Sequence, residues 1–237
     1  MSRFFYVDFL PEQGELLEPS QKLLSHLKSL RLSKDDNILL ITEDGIGRLA
    51  TWDGKKSLLI GKNQALLKPN PPKIHLFSAW PKGSRGDELI RRATESGAYS
   101  ITQTVFQRSI TQHKTFSQQK VTRYKKIMRE VAQQCQRHEL PKLKTHAITV
   151  SELQKICAKM QTLLLTPGVA PIGAIYKPKK ETALIIGPEG GISKAEQQEL
   201  INYGALTASI NSAILRIESA GPTAIAITRH FHKIQGQ

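Results

Sequence analysis

The chain has little of what would staple it, anchor it in a bilayer or chelate a metal. Its 237 residues include two cysteines, Cys135 and Cys157, too few for a disulfide framework or a structural zinc site. The seven histidines do not help, because the closest pair, His230 and His232, has neither zinc-finger nor helical metal-pair spacing. No apolar run approaches the ~20 residues needed to cross a bilayer. The opening Met1-Ser2-Arg3-Phe4-Phe5-Tyr6-Val7-Asp8 turns polar too soon for a signal peptide. No metal and no membrane partner are expected, and the expected location is the cytoplasm. Acidic residues are the last deficit: 20 Asp and Glu face 34 Lys and Arg, a net charge of +14. Such an imbalance points to a polyanionic partner, because each phosphate contact releases condensed counterions. A basic surface that serves only solubility is the alternative.

Two patterns of periodicity divide the chain. Residues 1 to about 68 read as short strands at 4–9, 37–42 and 47–52, rich in β-branched and aromatic residues. Asp35-Asp36-Asn37, Glu43-Asp44-Gly45 and Asp53-Gly54 supply the turns between them. One helix is expected over 21–30, with Leu23, Leu24, Leu27 and Leu30 at helical spacing. Together these predict a small β-barrel. Lys68-Pro69-Asn70-Pro71-Pro72 then interrupts all regular structure and reads as a linker between domains at 1–70 and 73–237. Beyond it strands alternate with helices. Strands are expected at 74–79, 100–106, 163–166, 183–186 and 206–210. Helices are expected over 87–96, closed by Gly97, and over 118–137, with an apolar stripe of Tyr124, Ile127, Met128, Val131 and Cys135. The class is α/β, with a mainly parallel sheet covered on both faces.

Two strand-to-helix junctions carry the chemistry. The first is Leu184-Ile185-Ile186-Gly187-Pro188-Glu189-Gly190-Gly191-Ile192-Ser193, a buried strand that runs into a glycine-rich loop. Ser193 and Glu196 form a capping box that opens the next helix. Ligands of open α/β sheets sit beyond the carboxyl ends of strands, and glycines there let backbone donors approach them. The spacing is not the dinucleotide fingerprint, and no Gly-Lys-Ser/Thr follows, so neither NAD nor P-loop chemistry is supported. A plain turn is the competing reading. The second junction follows residues 206–210 with Asn211-Ser212-Ala213-Ile214-Leu215-Arg216-Ile217-Glu218. Arg216 and Glu218 are charges inside an apolar stretch, and either a salt bridge or a reactive pair accounts for them. Lys120, Arg123, Lys125, Lys126 and Arg129 add a basic helix face, read as an RNA-contact surface or as a solvated one.

In this order the motifs resemble the RsmE family of 16S ribosomal RNA uridine-N3 methyltransferases, in the SPOUT class. The resemblance covers nearly the whole chain. It starts at Arg3-Phe4-Phe5 and the His26 to Arg31 stretch, and runs through Pro81-Lys82-Gly83 and Arg91-Arg92-Ala93-Thr94-Glu95-Ser96-Gly97. Gln107-Arg108-Ser109 and Gln134-Cys135-Gln136-Arg137-His138-Glu139-Leu140-Pro141 follow, and the two junctions complete it. It implies a PUA-like RNA-binding β-barrel, then a SPOUT α/β domain with a trefoil knot. It also implies a homodimer with the active site near the subunit interface, and 16S rRNA or the small ribosomal subunit as partner. The implied cofactor is S-adenosyl-L-methionine, held by Leu165 and Thr166, by Ile186, Gly187, Glu189, Gly190 and Gly191, and by Ile210, Asn211, Ile214 and Leu215. Arg216 and Glu218 would be catalytic. Arg3, Arg31, Arg91, Arg92, Arg108, Arg123, Lys126 and Arg137 would contact RNA.

The chain departs from the family pattern at several of these places. Asn211-Ser212-Ala213 stands where Gly-Pro-Arg is usual, and Glu218-Ser219-Ala220-Gly221-Pro222 replaces Glu-Thr-Ala-Ala. Pro222 predicts a late start of the final regular helix. Gln107 and Gln133 stand where glutamates are frequent, and Ser96 interrupts the usual Glu-Leu-Gly. These changes keep a second reading open: an RNA-binding or ribosome-assembly factor on the same scaffold, with weakened catalysis.

Overall fold

Turn-separated runs of β-branched and aromatic residues do become strands in the N-terminal part of the computed structural model, which describes residues 4–43, 45–63, 72–111, 114–178, 181–210 and 212–235. The chain separates into two units, Met1–Pro69 with Ala132–Leu140, and Asn70–Val131 with Pro141–Gln237. In the first unit the elements are β1 (Phe4–Tyr6), β2 (Leu16–Leu17), α1 (Gln21–Ser29), β3 (Asn37–Ile41), β4 (Gly47–Trp52) and β5 (Leu58–Asn63). They pair in the order β1-β3-β4-β5-β2, antiparallel except for the parallel pair β1–β3. Alternation puts Ile38, Leu40, Ala50, Trp52, Leu58 and Ile60 on one face, where Phe5 and Leu27 of α1 complete the core. Ser20 caps α1 by accepting from Leu23 N at 3.3 Å. The first strand stops at Tyr6 rather than running to residue 9, since Asp8 and Phe9 are exposed.

Ala132–Leu140 belongs to this unit through aromatic contacts. Tyr6 Oη donates to the Arg137 carbonyl at 2.8 Å, and the His138 ring meets Phe4 edge-on at 5.1 Å. Burial pushes the Tyr6 phenol well above its ordinary pKa, so it stays a donor. The helix expected to reach residue 137 ends at Gln134: Gln136 takes a left-handed φ of 57°, and Arg137 N turns back to Ala132 O at 2.8 Å. Cys135, past that end, is exposed and so leaves the apolar stripe assigned to it. The linker expected at 68–72 lies, except for Pro72, outside the described residues.

In the second unit strands and helices alternate: β6 (Lys73–Ser78), α2 (Arg85–Ser96), β7 (Ser100–Val105), α3 (Gln118–Gln134), β8 (Lys142–Thr149), α4 (Val150–Cys157), β9 (Gln161–Leu165), α5 (Ile172–Ile175), β10 (Glu181–Ile186), α6 (Lys194–Asn202), β11 (Leu206–Ala208) and α7 (Ile217–Gln235). The six strands pair in the order β11-β9-β10-β6-β7-β8, every pair parallel. Central strands are buried on both faces, which is why Leu163-Leu164 and Leu184-Ile185 read as unbroken apolar runs. Gly97 closes α2 at a φ of 94°.

Pro222 does not delay α7. The helix begins at Ile217 because Ser219 N and Ala220 N both close on the Arg216 carbonyl, at 2.9 and 2.7 Å, before the proline is reached. One bond to the Glu218 carbonyl is forgone in the second turn. Gly221 explains the other half of the departure. A β-carbon there would stand 3.0 Å from Leu76 Cδ1, so glycine lets α7 lie close against β6. Among the described residues no helix is long and apolar enough to cross a membrane, and no three His, Cys, Asp or Glu gather as metal ligands.

At the amino ends of the strands His75 is half-buried, its Nδ1 2.8 Å from Ser100 Oγ and its Nε2 3.8 Å from Glu181 Oε2. Burial holds the His75 pKa below its ordinary value, against the pull of Glu181. A histidine depressed in the folded state contributes stability that is complete above the unfolded pKa of about 6.5 and is lost as pH falls below it. Urea midpoints should therefore fall as pH is lowered from 7 through about 6, and His75→Gln should flatten that dependence. Equal slopes for the two proteins would remove His75 from the acid sensitivity.

Candidate functional site

Parallel pairing sends the chain out of β9, β10 and β11 at one edge of the sheet, and three loops meet there. They enclose a cavity of about 320 Å³. Leu165 and Thr166 line it from the end of β9. Ile186, Gly187, Glu189 and Gly191 line it from the glycine loop. Ile210, Ile214 and Leu215 complete it from the third loop. Nine of the eleven residues assigned to the cofactor from sequence thus share one cavity. Of the others, Gly190 is not among the residues that line it, and Asn211 lies outside the described residues. Pro188 and Ala213, inside the two loop segments, line it too, as do Leu164, Pro167, Ile192, Gln197, Ala208, Ser209 and Ala220, which were not assigned to the cofactor. Ile192 stood inside the glycine-loop motif, and Gln197 follows the capping-box glutamate at the mouth of α6.

Local hydrogen bonds fix each loop. Thr166 N donates to Ala208 O at 3.0 Å, Ser209 N to Ala170 O at 2.9 Å and Ile172 N to Ser209 O at 2.8 Å, joining the first loop to the third. In the second loop Gly191 N closes a turn onto Pro188 O at 2.8 Å. The capping box forms as expected: Ser193 Oγ accepts from Glu196 N at 3.3 Å, and Glu196 Oε2 accepts from Ser193 N at 3.1 Å and from Ser193 Oγ at 2.8 Å. At Gly187 packing requires the glycine, since a β-carbon would stand 2.5 Å from Ile192 Cγ1.

Neither Arg216 nor Glu218 lines the cavity, although Leu215 and Ala220 on either side do. No ion pair joins the two among the described residues, which leaves the salt-bridge reading without support. Arg216 is exposed. Glu218 is 6% exposed, and its Oε2 is buried without a hydrogen-bond partner. A buried, unpartnered carboxylate oxygen is costly, so its retention calls for a role beyond packing. Ile214, at the rim, is 83% exposed.

The arginines expected at RNA divide by location. Arg3 lies outside the described residues. Arg31, exposed at a left-handed φ of 51°, and Arg137 belong to the first unit. In the second unit α2 organises most of the rest. Glu88 accepts from Arg92 Nε at 2.5 Å and lies 3.9 Å from Arg91 Nε. Arg92 also donates to Ser219 Oγ at 2.9 Å, and Arg123 pairs with Asp87. Lys126 is exposed on α3. Two arginines reach the glycine loop: Arg108 donates to the Gly190 carbonyl at 3.0 Å, and Arg85 pairs with Glu189 at 3.3 Å. Sequence reasoning passed over Arg85, which stands outside every motif quoted.

Residues 68–229 match the family model of the RNA methyltransferase domain. The ribosomal RNA small subunit methyltransferase E of Synechocystis sp. is 32% identical over 212 residues, 83% of this chain and 67% of that protein. Its namesake from Mycobacterium bovis is 26% identical over 239 residues, 95% of this chain and 90% of the other. Among solved structures, the ribosomal RNA small subunit methyltransferase E of Neisseria gonorrhoeae, bound to S-adenosyl methionine, superposes with a TM-score of 0.78. The two are 22% identical, and the match covers 97% of this chain and 98% of that one, so they share a fold.

Gly187→Ala should force Ile192 aside and lower unfolding stability by about 1–3 kcal/mol, the usual cost of overpacking. Urea denaturation measures it, and an unchanged midpoint would show that the loop yields without strain.

Proposed function

We propose, from the premise that the chain belongs to the ribosomal RNA small subunit methyltransferase E family, that the three-loop cavity holds S-adenosyl-L-methionine for methylation of N3 of one uridine in 16S rRNA. The family makes the chain an S-adenosylmethionine-dependent methyltransferase of small-subunit ribosomal RNA. The cavity carries the finer reading. Its ~320 Å³ lies within the range of small-molecule sites, and its walls are aliphatic side chains interrupted by backbone of the three loops. Leu165, Thr166, Gly187 and Gly191 would hold the adenine and ribose through backbone groups, with Ile186, Ile210 and Leu215 against the rings. When bound, the cofactor supplies a sulfonium-activated methyl group.

The chain's own residues must orient the uridine and remove its weakly acidic N3 proton. Arg216, exposed and next in the chain to Leu215 of the cavity wall, would stabilise the uridine anion. Glu218 Oε2, unpartnered in the first turn of α7, is the acceptor for the proton, directly or through a water. Arg91, Arg92, Arg123 and Lys126 on one unit, with Arg3, Arg31 and Arg137 on the other, would bind the RNA backbone. Ile214, largely exposed beside Arg216, supports a homodimer that buries this rim near the active site. The first unit's five-stranded sheet supports a PUA-like barrel, and the order β11-β9-β10 followed by the return of α7 against β6 supports a knotted SPOUT chain. A ribosomal RNA substrate would set this activity in the cytoplasm.

The test offers 16S rRNA and isolated small subunits with methyl-labelled cofactor, followed by nucleoside mass spectrometry. Label in 3-methyluridine is the expected result. Label in another nucleoside would overturn the assignment to N3, and none in either substrate would favour the RNA-binding scaffold. Glu218→Gln should lower kcat by on the order of a hundredfold, as loss of a general base does, with cofactor affinity kept. Full turnover in that variant would remove Glu218 from the base role.

A further inference from the structure

We infer that Arg108 and Arg85 are positioning residues of the cofactor pocket, which brace the glycine loop, rather than ligands of RNA. The inference rests on the cofactor reading above and assigns these two side chains a different task from the other arginines. Both are exposed or partly exposed, as RNA ligands would be, but their polar partners belong to the glycine loop of the chain itself. Arg108 donates to the Gly190 carbonyl at 3.0 Å, and its Cβ lies 3.4 Å from where a β-carbon of residue 190 would stand. The side chain therefore runs along the outer surface of the loop. The next peptide group is held at both ends: the Gly190 carbonyl by Arg108, and Gly191 N–H by Pro188 O at 2.8 Å. Arg85 pairs at 3.3 Å with Glu189, which itself lines the cavity. Consecutive loop residues are thus gripped from two separate elements.

The support behind Arg108 is rigid. Gln107 N donates to Glu196 Oε1 at 2.7 Å, and Glu196 also caps α6 through Ser193. Ser109 Oγ accepts from Phe106 N at 2.9 Å and closes the turn that carries Arg108. The brace leaves the end of β7, passes the end of β6 and reaches the loop after β10, two strands away in the sheet order. Arg108 sits on a turn closed by hydrogen bonds and donates to a carbonyl of the loop rather than pointing to solvent unpartnered. An exposed hydrogen bond or ion pair of this kind contributes modestly, so the expected effects are small multiples.

The experiment uses the full chain as wild type, Arg108→Ala, Arg108→Lys and Arg85→Ala, with two readouts. In calorimetric titration with S-adenosylmethionine, Arg108→Ala and Arg85→Ala should bind about three- to tenfold more weakly, and Arg108→Lys should recover most of the loss. The salt dependence of 16S rRNA binding should keep its wild-type slope in all of them. Unchanged cofactor affinity with a slope reduced by about 0.7–0.9, one phosphate contact, would overturn the inference in favour of RNA. The second readout needs no cofactor: amide exchange at Gly191 should quicken in Arg108→Ala, and unaltered protection would overturn the brace. If the wild type bound no cofactor, the cofactor reading would fail, while the exchange measurement would still decide the brace.

Discussion

In a parallel sheet every strand passes the chain on at the same edge, and β11, β9 and β10, side by side, deliver three loops to one place. The rest of the site follows from that constraint. A 165–167 turn, a glycine loop and a 209–215 loop have to pack against one another, and backbone hydrogen bonds join the first to the third. Glycine at 187 is needed because Ile192 occupies the room a side chain would take. The cavity is what these three loops leave between them, bounded by aliphatic residues at the strand ends.

Charge is deployed around this cavity with more internal purpose than a net charge of +14 suggests. On α2 and its surroundings Arg85, Arg92 and Arg123 each face a carboxylate, and Arg108 faces a carbonyl. Exposed pairs of this sort stabilise little, but they orient the side chains that make them. Two of them orient the glycine loop, and Arg92 ties α2 to Ser219 in the first turn of α7, beside Glu218. Some of the cations that a polyanion would meet are thus already paired within the protein, whereas Arg216 and the exposed lysines of α3, Lys126 included, make none of these pairs among the described residues.

What could be read in advance was local. The Ser193–Glu196 box, the left-handed end at Gly97 and the loop Gly187 to Gly191 are short-range devices, and each appears where its residues stand. The third loop was legible because Ile214, Leu215 and Arg216 follow an apolar strand. Features that depend on distant partners were not. Strand β8 alternates exposed and half-buried residues around Lys142, Lys144 and His146, with no apolar run to mark it, and is a strand because β7 lies alongside. Leu16 and Leu17 pair with β5 only across some forty residues of chain. The tolerance of Pro222 depends on where α7 begins, and the need for Gly221 on Leu76, far away in sequence. Likewise the attachment of Ala132–Leu140 to the first unit rests on Tyr6 and Phe4, which no window around residue 135 contains.

That one cavity at the ends of β9, β10 and β11 is a working cofactor pocket is the claim on which the functional account stands. Isothermal titration of the purified wild-type chain with S-adenosylmethionine tests it without any need to know the target nucleotide. Saturable binding at about one site per chain, at cofactor concentrations of about 1 μM to 1 mM, is the predicted result. Heats no larger than dilution up to about 1 mM cofactor, the upper end of usual enzyme KM values, would contradict it.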